Sequence, residues 1–185
     1  MVKDSVLGKL LFAQKRLDEI GQLVSSSTIS VDANLRQQLA QEFFFHLLGA
    51  VEYLAQLINM DRNLGLDVSE VAAHKVSKKL RSIAIHDPLI PILDSLSVDT
   101  KREPFPTNPF SDKGYIYRLI NYRNEVVHRN TNPYHFSLGS GPAFAEFWLD
   151  PRDHSKGKTG VCVDVDLKNI FNFVEQQIQA ALPHV

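Results

Sequence analysis

The sequence predicts a mainly helical fold: a helical bundle with a small antiparallel β-meander inserted before the C-terminal helix. Three observations predict it. Apolar residues recur at helical spacing through most of the first 130 positions, and again over about 166–182. Short polar, glycine or proline breaks separate these stretches. Over about 134–165 the apolar period becomes two, with Gly/Pro and Asp-Pro turns between the runs. At 185 residues the chain suits a single domain, with a helical core at about 4–130 and 166–182 and a β insertion at about 134–165.

Residues 4–24 carry Leu7, Leu10, Leu11, Leu17, Ile20 and Val24 as a helical stripe. Ser25 to Ser30 is a break, and Asp32 is placed to cap a helix over about 33–60. That helix has a broad apolar face of Leu39, Phe43, Leu47, Ala50, Val51, Leu54 and Ile58, which marks it as central. After a turn at Asp61 to Leu66, Ser69 is the expected cap of a third helix reaching Ile83. A short helix follows Pro88 and reaches Leu96. Residues 97–111 hold three prolines and read as a long ordered loop, a kind that is often functional. The fifth helix starts at Ser111 or Asp112 and runs to about Asn130, where the nearby Pro133 stops it. The runs FSLGS, AFAEFWLD and GVCVDV are the expected strands. Asp164 or Asp166 is the expected cap of the final helix, which carries Leu167, Ile170, Phe171, Val174, Ile178 and Leu182.

The composition is that of a globular protein with material for a core, 44% hydrophobic and 22% charged. A net charge of −1 argues against coating nucleic acid through global basicity, and leaves a local patch open. Lys75, Lys78, Lys79 and Arg81 on the third helix form such a patch, either a solvated face or a set of phosphate contacts. The lone Cys162 cannot form an internal disulfide, and in VCVDV it reads as a buried strand thiol. No CxxC, HExxH, GxxxxGK[ST] or GxGxxG occurs, so no cofactor is expected. His74, His86, His135, His154 and His184 lack metal-ligand spacing, and no metal is expected. The N-terminal segment lacks the pattern of a secretory signal, and FFFHLLGAVEYLAQLI is read as too polar for a membrane span. The expected setting is the cytoplasm, without membrane association.

The candidate site is NYRNEVVHRN, residues 121–130. On a helix, Ile116, Ile120, Arg123 and Val127 share one stripe, and Tyr117, Asn121, Asn124 and His128 share another. Arg123 thus interrupts an apolar stripe and needs a partner. Two readings fit this spacing. In one, Arg123 pairs with a buried carboxylate and His128 bonds the last helix carbonyls. In the other, the residues are catalytic. On the central helix Glu42, His46, Gly49, Tyr53 and Gln56 follow a four-three-four-three spacing with Glu52 beside them. Glu42, His46 and Glu52 are either supporting residues facing Arg123 or the polar edge of a buried helix. Gly49 would let another helix come close.

RNEVVH at 123–128 resembles the R-x4–6-H signature of HEPN domains, the higher eukaryote and prokaryote nucleotide-binding superfamily. Asn124 matches the polar residue that often follows the arginine. The resemblance implies a helical bundle and, for many members, a metal-independent endoribonuclease that acts as a dimer. Toxin–antitoxin and anti-phage systems are the usual setting, with an antitoxin or nucleotidyltransferase as partner. Other members are inactive RNA-binding or protein-interaction modules. Carried over by residue, the resemblance makes His128 the acid or base, Arg123 the phosphate clamp and Asn124 the positioning residue. The product would be a 2′,3′-cyclic phosphate. Some HEPN toxins have a tyrosine two residues after the histidine; here Asn130 stands there, which argues against regulation through that tyrosine.

Overall fold

The computed structural model describes residues 2–25, 33–100, 102–129, 134–137 and 144–185; at 24–25, 33–34, 36, 126–129, 134–137 and 144–145 only the backbone is described. The expected caps and breaks at Ser26–Ser30, Asp32, Asn130, Pro133 and the Gly139–Gly141 turn lie outside these residues. The fold is mainly helical. Six α-helices are seen among the described residues: α1 (Val2–Ser25), α2 (Ala33–Asp61), α3 (Ala73–Ile83), α4 (Leu89–Ser95), α5 (Asp112–Arg129) and α6 (Val163–Ala181).

α2 is the axis of the bundle and packs against α1, α3, α5 and α6. Every residue of its expected apolar face is buried, together with Phe44 and Ala55. Residues Gln37–Asp61 are long and apolar enough to cross a membrane, with mean hydropathy 1.2, contrary to the reading of this stretch as too polar. Here 56% of that window is buried inside the bundle. α6 closes the core with Leu167, Ile170, Phe171, Val174, Ile178 and, just past its end, Leu182.

Four expectations are corrected. On α1 the buried stripe is Val6, Leu10, Ala13, Leu17 and Ile20, while Leu7 and Leu11 face outward with 40% and 69% exposure. A helix with apolar residues on most of its circumference has no unique stripe until a neighbour selects one. Ser69 is not the cap of α3. Asp67 caps a short 3-10 turn at Val68–Glu70, with its carboxylate accepting the Ser69 N–H at 2.8 Å, and α3 begins four residues after Ser69. The third expected strand is also absent. β1 (Tyr134–Ser137) and β2 (Phe144–Phe147) pair antiparallel, and among the described residues one further bridge joins Trp148 to Lys158. GVCVDV leads into α6 instead, because Val163 continues the apolar period of Leu167 and Ile170, and Asp164 and Asp166 suit a first helical turn. Cys162 is accordingly a half-exposed N-cap residue rather than a buried strand thiol. Burial, with Asp164 beside it, pushes its thiol up to about 11.

The hairpin is seated on the bundle by Phe147, which is fully buried against Phe44 and Tyr122 at ring distances of 5.8 and 4.9 Å. The Tyr122 hydroxyl donates to the Trp148 carbonyl at 2.7 Å. Trp148 itself is half-buried and stacks on His154 at 4.2 Å.

Candidate functional site

α5 carries the site, and two devices hold it in place. Its first turn passes tightly under the preceding loop. A β-carbon on Gly114 would lie 2.5 Å from the Pro109 carbonyl, so only glycine fits there. One turn on, the fully buried Arg118 forks onto the fully buried Asp166 of α6, with bonds of 2.5 and 2.9 Å. Its Nε donates to the Pro109 carbonyl at 3.1 Å, and its guanidinium lies over the rings of Phe110 and Tyr115. Loop, α5 and α6 are thereby tied at one point. A buried arginine–carboxylate pair of the kind considered for Arg123 is seen between Arg118 and Asp166.

The stripe of Tyr117 and Asn121, expected to be a polar face, is buried at 2% exposure for each. The Tyr117 hydroxyl accepts from Arg152 at 2.8 Å, and Arg152 is held by Asp150 at 2.9 Å.

Arg123 emerges past these buried turns and is half-exposed. Its Nη1 donates to the Asn124 side-chain oxygen at 3.2 Å. The long guanidinium therefore crosses between the two helical stripes that the sequence assigned separately. Arg123 lines a cavity of about 170 Å³ with Lys9, Phe45, Gly49, Glu52, Tyr53 and Gln56. The volume is well below the roughly 300 Å³ of a typical ligand pocket, so it suits one charged group rather than a whole nucleotide. Three helices build it. α2 lends the glycine and the polar edge foreseen in its four-three spacing. α1 lends Lys9, whose stem lies over Gly49, where a β-carbon would sit 3.5 Å from the lysine carbons. Gly49 thus admits a side chain rather than a helix backbone. The Lys9 ammonium sits 4.4 Å from the Phe45 ring centre, which keeps the charge at the cavity mouth.

The other predicted residues fall into separate places. Glu52 shares the cavity with Arg123. Glu42 turns to α1 and pairs with Arg16 at 2.8 Å. His46 stacks on Phe12 of α1 at 5.2 Å. Burial holds its pKa below the ordinary 6.5, Lys9 and Arg16 lower it further, and Glu42 opposes them. His128 lies in the last turn of α5, and its side chain, like that of Arg129, lies outside the described residues. Lys75, Lys78 and Lys79 are exposed on α3, which packs on α4 and α2, and none of them lines the cavity. Arg81 is engaged by Asp94 at 2.5 Å. Among the described residues no three His, Cys, Asp or Glu side chains are grouped to hold a metal.

Sequence reasoning missed Lys9 and the Arg118–Asp166 pair, and it expected Asp164 or Asp166 to cap α6, where Cys162 stands at the N-cap and both aspartates lie inside the first turn. For Arg118 and Asp166 there was a signal: each is a charge inside an apolar or aromatic stripe, flanked by Tyr115 and Tyr122 in one case and by Val163 and Ile170 in the other. Lys9 gave none, because its role depends on how α1 docks. No family model matches the chain, and no curated protein or solved structure matches it.

Proposed function

We propose that this chain is a metal-independent endoribonuclease of HEPN type, acting as a dimer, with the Arg123 cavity as its phosphate site. The observation that carries the reading is the convergence of Arg123, bonded to Asn124, and Lys9 on one group-sized cavity beside the RNEVVH segment. Among the described residues lining it, two cations stand against the carboxylate of Glu52, a balance that favours a phosphodiester. The mainly helical fold, with the motif in the last turns of α5, supports the resemblance.

In this reading one histidine-class base takes the RNA 2′-OH proton, and the 2′-oxygen attacks phosphorus. The bond to the 5′-oxygen breaks, and that oxygen leaves with a proton supplied by an acid. The products are a 2′,3′-cyclic phosphate and a 5′-hydroxyl. His128 serves as the acid or base, Arg123 and Lys9 hold the charge gathering on the equatorial oxygens, and Asn124 fixes the guanidinium. A cytoplasmic toxin–antitoxin or anti-phage role, with an antitoxin or nucleotidyltransferase as partner, goes with this reading.

The test is purified protein on end-labelled RNA with chelator present. Cleavage by the wild type, reduced on the order of 100-fold or more in Arg123→Ala and His128→Ala, is the expected result. Equal cleavage by His128→Ala, or none by any form, overturns it. A second reading, an inactive RNA-binding or protein-interaction module, draws on the Glu52 carboxylate inside the cavity, which weakens its hold on phosphate. RNA retained on a filter without cleavage would select that reading.

A further inference from the structure

Four large apolar side chains of α1 and α2 are open to solvent. Leu7, Leu11 and Phe12 of α1 are 40%, 69% and 50% exposed, and Phe45 of α2 is 49% exposed. Together they leave on the order of 400 Å² of apolar surface open, at the scale of the largest patches that monomers carry and about half of the roughly 800 Å² that a standard interface buries per partner. The face is not featureless. Gly8 sits among Leu7, Leu11 and Phe12, and nothing lies within 4 Å of where its β-carbon would be, so it forms an open notch. Asp4 and Lys15, both exposed, lie at the two ends of the same outward stripe.

These positions have a symmetry of their own. Residues 4 and 15, 7 and 12, and 8 and 11 are each equidistant from the point between positions 9 and 10. We propose that this face binds a second copy of the chain, with α1 packed antiparallel on the partner's α1 about a two-fold axis at that point. Leu11 then enters the notch formed by the partner's Asp4, Leu7, Gly8 and Leu11, as a knob enters a hole. Asp4 comes beside the partner's Lys15, once at each end. A patch that pairs with itself in this way is what an isologous interface requires. A lipid surface would instead favour cations all round the apolar stripe, without the acidic end. The Arg123 cavity shares Phe45 with this face and is lined by Lys9 of the same helix α1. The assignment rests on the reading above for the dimer's purpose, while the association is measured independently of any chemistry.

The full chain is examined by sedimentation equilibrium at about 10–100 μM, a range that reports micromolar association. A dimer is expected for the wild type and for Met60→Glu, an exposed apolar residue elsewhere on α2. A monomer is expected for Leu11→Glu, with unchanged far-ultraviolet dichroism and melting temperature. Lys15→Asp is expected to weaken association about tenfold or more, and Asp4→Lys combined with Lys15→Asp to restore it, since the swapped pair is again self-complementary. A monomeric wild type, a Leu11→Glu variant with wild-type mass, or a monomer that floats with anionic phosphatidylserine vesicles overturns the proposal. The same samples are assayed on RNA. A dimer that does not cleave removes the ribonuclease and leaves the interface standing, and cleavage by a wild-type monomer does the reverse.

Discussion

Arg118 is the largest fully buried side chain among the described residues, and its position is tolerable only because Asp166 meets it with two bonds. Stripping water from either ion alone is costly, so the pair contributes little as a whole and a great deal when halved. Asp166→Ala is expected to cost about 3–5 kcal/mol in urea unfolding, since it leaves the guanidinium buried and unmatched. Replacing both, Arg118→Met with Asp166→Leu, is expected to cost clearly less than the two single changes added together. A single substitution that costs under about 1 kcal/mol would show that the pair does not tie α5 to α6. The two charges were each visible in the sequence as interruptions of an apolar stripe. Their pairing was not, because 48 residues separate them and only the packing of two helices brings them together.

At the scale of elements, helix positions were legible and helix faces less so. α2 and α6 carry broad, continuous apolar faces, and these are buried as read. α1 carries leucines on more than one side. Which side is inner was settled by α2 and α6, and it left Leu7 and Leu11 outside. GVCVDV shows the same limit for element type. Five alternating residues fit a strand, but the apolar period of the following helix extends backwards through Val163 and prevails. The start of α5 gives a prediction at this scale. Alanine normally stabilises a helix by about 1 kcal/mol over glycine. Gly21→Ala on α1, where nothing lies within 4 Å, is expected to follow that rule. Gly114→Ala is expected to do the opposite and lose about 1–3 kcal/mol, because its β-carbon meets the Pro109 backbone, which cannot rotate away. Thermal unfolding of the two variants side by side decides it; equal shifts would mean that the loop over α5 yields.

For the whole molecule, stability is expected to depend on pH through His46. Its folded pKa lies below 6.5, so the unfolded chain binds its proton more readily than the folded one. The stability is therefore fully present above the unfolded value of 6.5 and is lost as pH falls below it towards the folded value. The melting temperature should drop as pH falls below 6.5, and His46→Phe, which keeps a ring against Phe12, should flatten that drop. A slope unchanged in the variant would assign the effect to other groups. By itself the sequence determined that the chain is mainly helical, where each helix runs to within a few residues, and that RNEVVH ends the fifth helix. These are local matters of periodicity, capping and turn chemistry. The tertiary structure alone decided which cations meet which acids, that Arg123 shares a cavity with Lys9 and Glu52 but not with Glu42 or His46, and which face of α1 is left open. Those outcomes depend on the docking of one helix on another, which local pattern does not encode.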